Sequence, residues 1–430
     1  MRTLFFFFFF IFSYSFSFSQ NIIGNWKGNI DVNGQKIPIV FHFYENDSGK
    51  LDGKWDSPAQ KAMGLPFTTI HSTKDSLNIS IAAINGAYKG RFINKDSIAG
   101  IWLQGGSTIA LNFKKSTDTT EASNELARPK QKEIIYPNEK EISITSSIGN
   151  KIYGTLLSKN NRQKLVIIIA GSGPTDRDGN NPMGDEANSY KLLAHSLDSQ
   201  NIATFRFDKS GVAKSVSTNF KESDLVFDDY IKDAETIYDY LHDTLGFKNI
   251  YFAGHSEGSL IGIMASQKKK VQGYISIAGA GRPIDVILEE QINKQSVPDS
   301  IKTKIHFVFS ELKKGKVVSG LPSSFDVIFR KSIQPYMISW LKYSPEKEIK
   351  KLKCPILILQ GGCDIQVKVE DANNLHKGNP KSVLHIIPLM THTLKNAGKD
   401  CADQQKTYTD GTLPIDADLV KSISEFIQKN

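Results

Sequence analysis

The 430-residue sequence predicts an α/β fold, a mostly parallel, doubly wound sheet with a helical cap, preceded by a small antiparallel all-β domain. Three observations carry this. From residue 140 onward, short apolar runs suited to buried strands alternate with segments of helical period, the pattern of a parallel sheet with helices on both faces. Before residue 114 the runs instead alternate in polarity between turn residues, and no long 3.6-residue period appears. The intervening stretch is rich in Lys, Ser, Thr, Asp and Glu and contains Pro129, the composition of a linker.

Taken in order, residues 1–19 read as a secretory signal peptide. Arg2 supplies the positive start, Leu4 to Phe12 is wholly apolar, and Ser17-Phe18-Ser19 offers small residues before Gln20. The run is short and serine-interrupted for a membrane span; an uncleaved anchor is the alternative. The chain is therefore expected to be exported, periplasmic or secreted, with no stable membrane insertion after cleavage. Residues 20–114 form the β-domain, a barrel or sandwich of about eight strands. Strands are expected at 37–43, 77–81 and 109–113, with hairpin turns at Asn46-Asp47-Ser48-Gly49 and Asp52-Gly53. Gly and Trp recur together at Gly24 to Gly28, Gly53-Lys54-Trp55 and Gly100-Ile101-Trp102. These tryptophans either plug a barrel end or line a ligand- or cell-surface-binding face; the first reading is preferred.

Residues 115–139 are the linker and 140–430 the second domain. It opens with a hairpin, 141–145 and 151–156, and contains its clearest helix at Asp224 to Leu245, where Val226, Tyr230, Ile231, Ala234, Ile237, Tyr238 and Leu241 make one apolar face. The helix-like insertion at about 283–350 is expected to cap a pocket. Phe329, Met337 and Trp340 are its candidate lining residues, and Lys313-Lys314-Gly315-Lys316 is a solvated face.

The chemistry centres on Gly254-His255-Ser256-Glu257-Gly258, which lies between an apolar strand and a helix-compatible segment. In that setting a Gly-x-Ser-x-Gly sequence forms a strained turn that projects the serine hydroxyl, making Ser256 a candidate nucleophile. An acid and then a histidine should follow on loops after later strands. Asp364 sits past the strand Ile356 to Leu359 and its Gly361-Gly362 break, and His392 lies on the loop after the strand Val383 to Ile387. His385 lies inside that strand, where a packed side chain is the simpler reading. The oxyanion hole should use the backbone N–H of Glu257 and one from the glycine loop after Lys164 to Ala170. Ser172 is the candidate and Gly173 the alternative; Pro174 has no N–H.

These blocks, with Gly171 to Asn180, Phe205 to Gly211 and Gln360 to Asp364, resemble the α/β-hydrolase superfamily. The likeness is to its serine-aminopeptidase-like group and the bacterial carboxylesterase branch, over about residues 140–430. The resemblance implies a triad of Ser256, Asp364 and His392 and needs neither cofactor nor metal. Many members carry His-Gly where this chain has Ala170-Gly171, which favours an esterase over a peptidase. The expected activity is hydrolysis of carboxylic esters through an acyl-enzyme. An aminopeptidase, using Glu289, Glu290 or Glu311 to grip an amine, is the alternative within enzymes. A non-catalytic binding protein acting through the β-domain is the alternative outside them.

The net charge is +8, and removing residues 1–19 takes away only Arg2 and leaves +7. The basic residues are scattered, so no nucleic-acid partner is expected, although weak association with acidic surface polymers is. A small-molecule ester is the expected partner. The three cysteines, Cys354, Cys363 and Cys401, have no metal-ligand spacing. In an exported chain, Cys363 and Cys401 are placed to tie the acid loop to the histidine loop by a disulfide.

Overall fold

The computed structural model describes residues 22–32, 35–46, 49–57, 62–81, 86–104, 107–116, 136–146, 148–181, 185–217, 220–293, 298–322 and 325–430. The expected signal segment, most of the linker, the turn residues 47–48 and the end of the first cap helix at 294–295 lie outside them. The chain divides into two compact units, Met1–Lys130 and Gln131–Asn430.

The first unit is a single antiparallel sheet of ten strands, where the alternation suggested about eight. They are β1 (Gly24–Val32), β2 (Gln35–Glu45), β3 (Leu51–Ser57), β4 (Ala62–Pro66), β5 (Thr69–Ser72), β6 (Ser76–Ile81), β7 (Gly86–Asn94), β8 (Ser97–Gln104), β9 (Ser107–Ala110) and β10 (Phe113–Lys115). The order is β4-β3-β2-β1-β10-β8-β7-β6-β5, with β9 added beside β8. Only Phe67 and Thr68 separate edge strands β4 and β5, so the sheet's two ends approach at one corner and the shape is nearly a barrel, not a two-sheet sandwich. The expected strand 109–113 splits because Gly100 bonds both residues of the break: its carbonyl accepts from Leu111 N at 2.9 Å, and its N–H donates to Asn112 Oδ1 at 3.1 Å. In β6, Leu77, Ile79 and Ile81 are buried in strict alternation, as a half-solvated sheet requires. The core is aromatic, with Phe41 4.2 Å from Phe113 and 5.4 Å from Tyr88 between ring centres. Trp26, Trp55 and Trp102 are buried in it, so the tryptophans are packing residues. The glycine before Trp102 has a local reason, since a Cβ on Gly100 would stand 2.4 Å from Tyr88 Oη.

The second unit carries an eight-stranded sheet in the order β11-β12-β16-β13-β17-β18-β19-β20. In chain order the elements are β11 (Glu139–Thr145), β12 (Lys151–Leu157), β13 (Leu165–Ile169), the ribbon β14 (Asn180–Asn181) and β15 (Asp185–Glu186), α1 (Ser189–Ser199), β16 (Ala203–Phe207), α2 (Phe227–Asp239), β17 (Ile250–His255), α3 (Glu257–Ser266) and β18 (Gly273–Ile277). The insertion follows as α4 (Ile284–Asn293), α5 (Asp299–Lys313), α6 (Asp326–Phe329), α7 (Gln334–Trp340) and α8 (Pro345–Ile349). The unit closes with β19 (Ile356–Gly361), α9 (Val369–Gly378), β20 (Val383–Ile387), α10 (Gln404–Thr409) and α11 (Ala417–Lys429). Strands β16 to β20 are parallel, while the β11–β12 hairpin joins them antiparallel. This is the α/β-hydrolase fold.

Strand β13 shows why the sheet must be covered twice. Leu165, Ile167 and Ile169 enter the core with α2, α3 and α9, whereas Val166 and Ile168 enter the core with α1 and α11. All five are buried, so the strand reads as a continuous apolar run. Helix α2 starts at Phe227, later than the expected Asp224, because the Asp229 side chain caps Val226 N at 3.1 Å. It ends at Asp239 in a wider turn closed by Leu245 N to Tyr240 O at 3.1 Å. The sheet order reverses at β13, which lies between β16 and β17. Such a reversal opens a crevice at the carboxyl ends of the strands, where ligands bind in open α/β sheets.

Candidate active site

Ser256 stands in that crevice, between β17 and α3, with φ 54° and ψ −118°. A non-glycine residue in this region is strained by about 1–3 kcal/mol and persists only where its surroundings enforce it. Here Ser256 N donates to Ile277 O at 3.0 Å. The flanking glycines are required by contact. A Cβ on Gly254 would meet Gly258 O at 2.1 Å, and one on Gly258 would meet Ile169 O at 2.3 Å.

Asp364 and His392, separated by 28 positions, are brought into contact: His392 Nδ1 donates to Asp364 Oδ2 at 2.8 Å. The carboxylate is fully buried and also accepts from Gln366 N at 2.8 Å, Val367 N at 2.9 Å and Gln360 Nε2 at 3.2 Å. Burial by itself would raise its pKa, but the His392 charge and these donors outweigh it and hold the group below the ordinary carboxylate range. An ionised Asp364 keeps the proton on His392 Nδ1 and leaves Nε2 as a base. The histidine loop reaches the serine turn through its backbone, since His392 O accepts from His255 Nε2 at 2.9 Å. His385 lies elsewhere, on edge strand β20, with Nδ1 bonded to Ser422 Oγ. Cys363, beside Asp364, forms the disulfide with Cys401; Cys354 is free.

The glycine loop after β13 passes close to the serine, and a Cβ on Gly171 would sit 3.2 Å from Ser256 Cβ. Gly171 N is committed to Tyr190 Oη at 3.0 Å. Glu257 opens α3, where N–H groups point out of the helix. Its side chain is unexpected from the sequence: Glu257 Oε1 pairs with Lys209 Nζ at 2.9 Å, each side chain being 2 % exposed. Lys209 also donates to Gly171 O at 2.6 Å and lies 4.6 Å from the centre of the Tyr230 ring. One buried ammonium thus ties the glycine loop to the residue after the serine.

In sequence Lys209 is one residue of the block Phe205 to Gly211, with no feature that marks a role. A lysine after an Asp reads as surface until the fold places it beneath the loop. The same holds for two reciprocal ion pairs that clamp the loop to β16. Arg177 binds Asp208 through Nε at 3.1 Å and Nη2 at 2.7 Å, and Arg206 Nε binds Asp178 Oδ1 at 2.8 Å. The crossing of Asp-Arg-Asp with Arg-Phe-Asp is the only linear hint.

Ser256 lines a small, narrow cleft. Leu260, Ala280, Ile284, Trp340 and Pro345 make it mainly apolar, and Arg282 and Tyr343 line it with them. Trp340 lines it as expected. Phe329 and Met337 do not; they are buried in the core they share with α2 and α3, Phe329 4.9 Å from Phe309 between ring centres. Arg282 is engaged by Asp371 at 2.8 and 3.0 Å and by Glu290 at 2.8 Å. Of the acids available to an amine, Glu290 therefore holds Arg282, Glu289 holds His306 at 3.0 Å, and Glu311 holds Lys314 at 2.7 Å. None of the three lines the cleft. Lys314 and Lys316 are more than half exposed, as a solvated face requires.

Residues 181–323 match a family model described as serine aminopeptidase, S33. Esterase EstD of Thermotoga maritima is 24% identical over 276 residues, which cover 62% of this chain and 60% of that protein. The chain thus spans about 60% of the length of this curated relative. Two solved structures are similar: Est1E from Butyrivibrio proteoclasticus, with 18% identity over 67% of this chain and 98% of that one, at a TM-score of 0.44, and Pyrococcus furiosus esterase Pf2001, with 15% identity over 68% and 90%, at 0.45.

Proposed function

We propose that this α/β-hydrolase is an exported serine hydrolase that cleaves carboxylic esters through an acyl-enzyme on Ser256. The observation that carries the reading is the strained serine at φ 54°, set in the turn between β17 and α3 with the His392 loop bonded to its neighbour. A strained, side-chain-projecting residue at the carboxyl end of a central strand has no packing reason to be there.

In this reading Ser256 Oγ attacks the ester carbonyl carbon while His392 Nε2 takes its proton. The carbonyl oxygen becomes an oxyanion held by the N–H groups of Glu257 and Ser172. Collapse breaks the bond to the alkoxy group, which leaves as an alcohol with the proton from His392. Water, activated by the same imidazole, then attacks the acyl-enzyme and releases the acid. Asp364 holds the His392 tautomer and stabilises the imidazolium without taking up the proton. The apolar cleft with Trp340 receives a small or medium acyl group. The engagement of Glu289, Glu290 and Glu311 in other ion pairs supports an ester over a substrate carrying a free amine. The Cys363–Cys401 bond supports export, because disulfides persist in oxidising compartments.

The test is turnover of p-nitrophenyl acyl esters against aminoacyl arylamides, for the wild type and Ser256→Ala. Ester turnover should dominate and should fall by about 10⁵–10⁶ in the variant. Undiminished turnover in Ser256→Ala refutes the nucleophile, and preferred arylamide turnover in the wild type makes the enzyme a peptidase.

A further inference from the structure

His255 precedes the serine and makes two buried hydrogen bonds, neither to Ser256. Its Nδ1 lies 2.8 Å from Tyr190 Oη, and its Nε2 lies 2.9 Å from His392 O. Tyr190 Oη is also the acceptor for Gly171 N. These bonds join the glycine loop, the serine turn and the histidine loop, three segments far apart in sequence.

The directions of the protons follow from the chemistry of the ends. A backbone N–H only donates, so Tyr190 Oη accepts from Gly171. A carbonyl only accepts, so the His255 ring hydrogen is on Nε2. Burial drives the His255 pKa down to about 3, so the ring is neutral and carries that one hydrogen. Nδ1 is then a bare acceptor, and the Tyr190 hydroxyl hydrogen must point to it. The chain runs one way: Gly171 N–H to Tyr190, Tyr190 O–H to His255, His255 N–H to the His392 carbonyl. Each bond polarises the next in the same sense. A second bond reinforces it, because Ser189 Oγ, one residue before Tyr190, donates to Thr393 O at 2.7 Å. The start of α1 is thus tied to both loops that flank the serine.

Resting on the esterase reading, we propose that Tyr190 and His255 are positioning residues that hold the oxyanion loop and the general-base loop in register with Ser256 through this one-way hydrogen-bond chain. Neither touches substrate. Tyr190 orients Gly171, whose backbone leads directly to the Ser172 donor. His255 fixes the peptide that carries His392. Removing a link lets one loop relax relative to the serine. The loss falls on the transition state, which requires donor and base to be placed together, and not on ground-state binding in the cleft across the serine.

The test uses the full chain, with p-nitrophenyl acetate turnover and the rate at which a fluorophosphonate labels Ser256, at temperatures well below each variant's melting point. Tyr190→Phe and His255→Gln should each lower kcat by about 10–100-fold with KM unchanged, as expected for small misplacements of reacting groups. Labelling should slow by the same factor. The double variant should be no worse than the poorer single one, because either change breaks the same chain. Tyr251→Phe is the control: it removes another buried tyrosine hydroxyl, on β17 and bonded to Ile427 O, and should leave kcat at the wild-type level. The chain is overturned if Tyr190→Phe and His255→Gln keep wild-type kcat, if their losses multiply, or if Tyr251→Phe loses as much. A wild type that neither labels nor turns over ester overturns the esterase reading itself, and the chain with it.

Discussion

The two units differ in how far their buried polar contacts extend. In the β-unit, buried polar side chains form small local sets, as when Trp26 Nε1 donates to Ile22 O at 2.8 Å and His42 joins Asn25 Oδ1 at 2.8 Å to Asp56 Oδ2 at 2.7 Å. In the α/β-unit, Tyr190, Lys209, His255, Glu257, Asp364 and His392 are all bonded to one another or to the loops around Ser256. The first arrangement secures contacts within one sheet. The second fixes the relative position of loops that the sheet alone would leave free, which is what a reaction with several simultaneous partners needs.

That contrast can be broken at several points. The largest effect is expected for Asp364→Asn, which keeps the shape but loses the charge that selects the His392 tautomer. Ester kcat should fall by about 10⁴-fold with little change in melting temperature, and a loss below tenfold would remove Asp364 from the site. Next, Lys209→Met strands the buried Glu257 carboxylate and should cost about 3–5 kcal/mol in urea unfolding. Adding Glu257→Leu should restore much of the stability, since no buried charge is then left alone. It should not restore kcat, because Gly171 O still lacks its donor. Full recovery of kcat in the double variant would make the pair a stability element like those of the β-unit. The counterpart there is Trp26→Ala, which should cost the β-unit about 3–5 kcal/mol and leave ester kcat untouched; a drop in kcat would tie that unit to catalysis.

The remaining effect concerns acid. His255 is held down to about 3, against about 6.5 for an unfolded imidazole. Between these values the unfolded chain binds the extra proton, so this contribution is fully present above about pH 6.5 and is lost as the pH falls towards 3. His255→Gln should flatten the acid limb of the melting temperature plotted against pH. An unchanged limb would mean the ring is not held neutral.

Legibility followed the range of the interactions. The parallel strands were readable because burial on both faces writes a continuous apolar run, as at Leu165 to Ile169. Ser256 and Asp364 each follow a strand of that kind and His392 follows the half-exposed edge strand β20, in the order that connection rules constrain. The β-unit was less legible. Its alternation marked strands at 37–43 and 77–81 but ran through the break at Leu111-Asn112, which a pairing with the distant Gly100 creates. The cap is the least legible part: Phe329, Met337 and Trp340 share apolar character, and only packing turns Trp340 to the cleft and the other two inward.

By itself, then, the sequence determined the fold class, the strained serine turn and the residue types for one reaction, because these depend on local periodicity and on glycines forced by close approach. Only the tertiary structure decided that Lys209 lies beneath Gly171, that Arg177 crosses to Asp208, and that His255 links the serine turn to the His392 carbonyl. Each is a contact between segments brought together by the sheet order, and a buried polar side chain looks in sequence like an exposed one until its partner is placed.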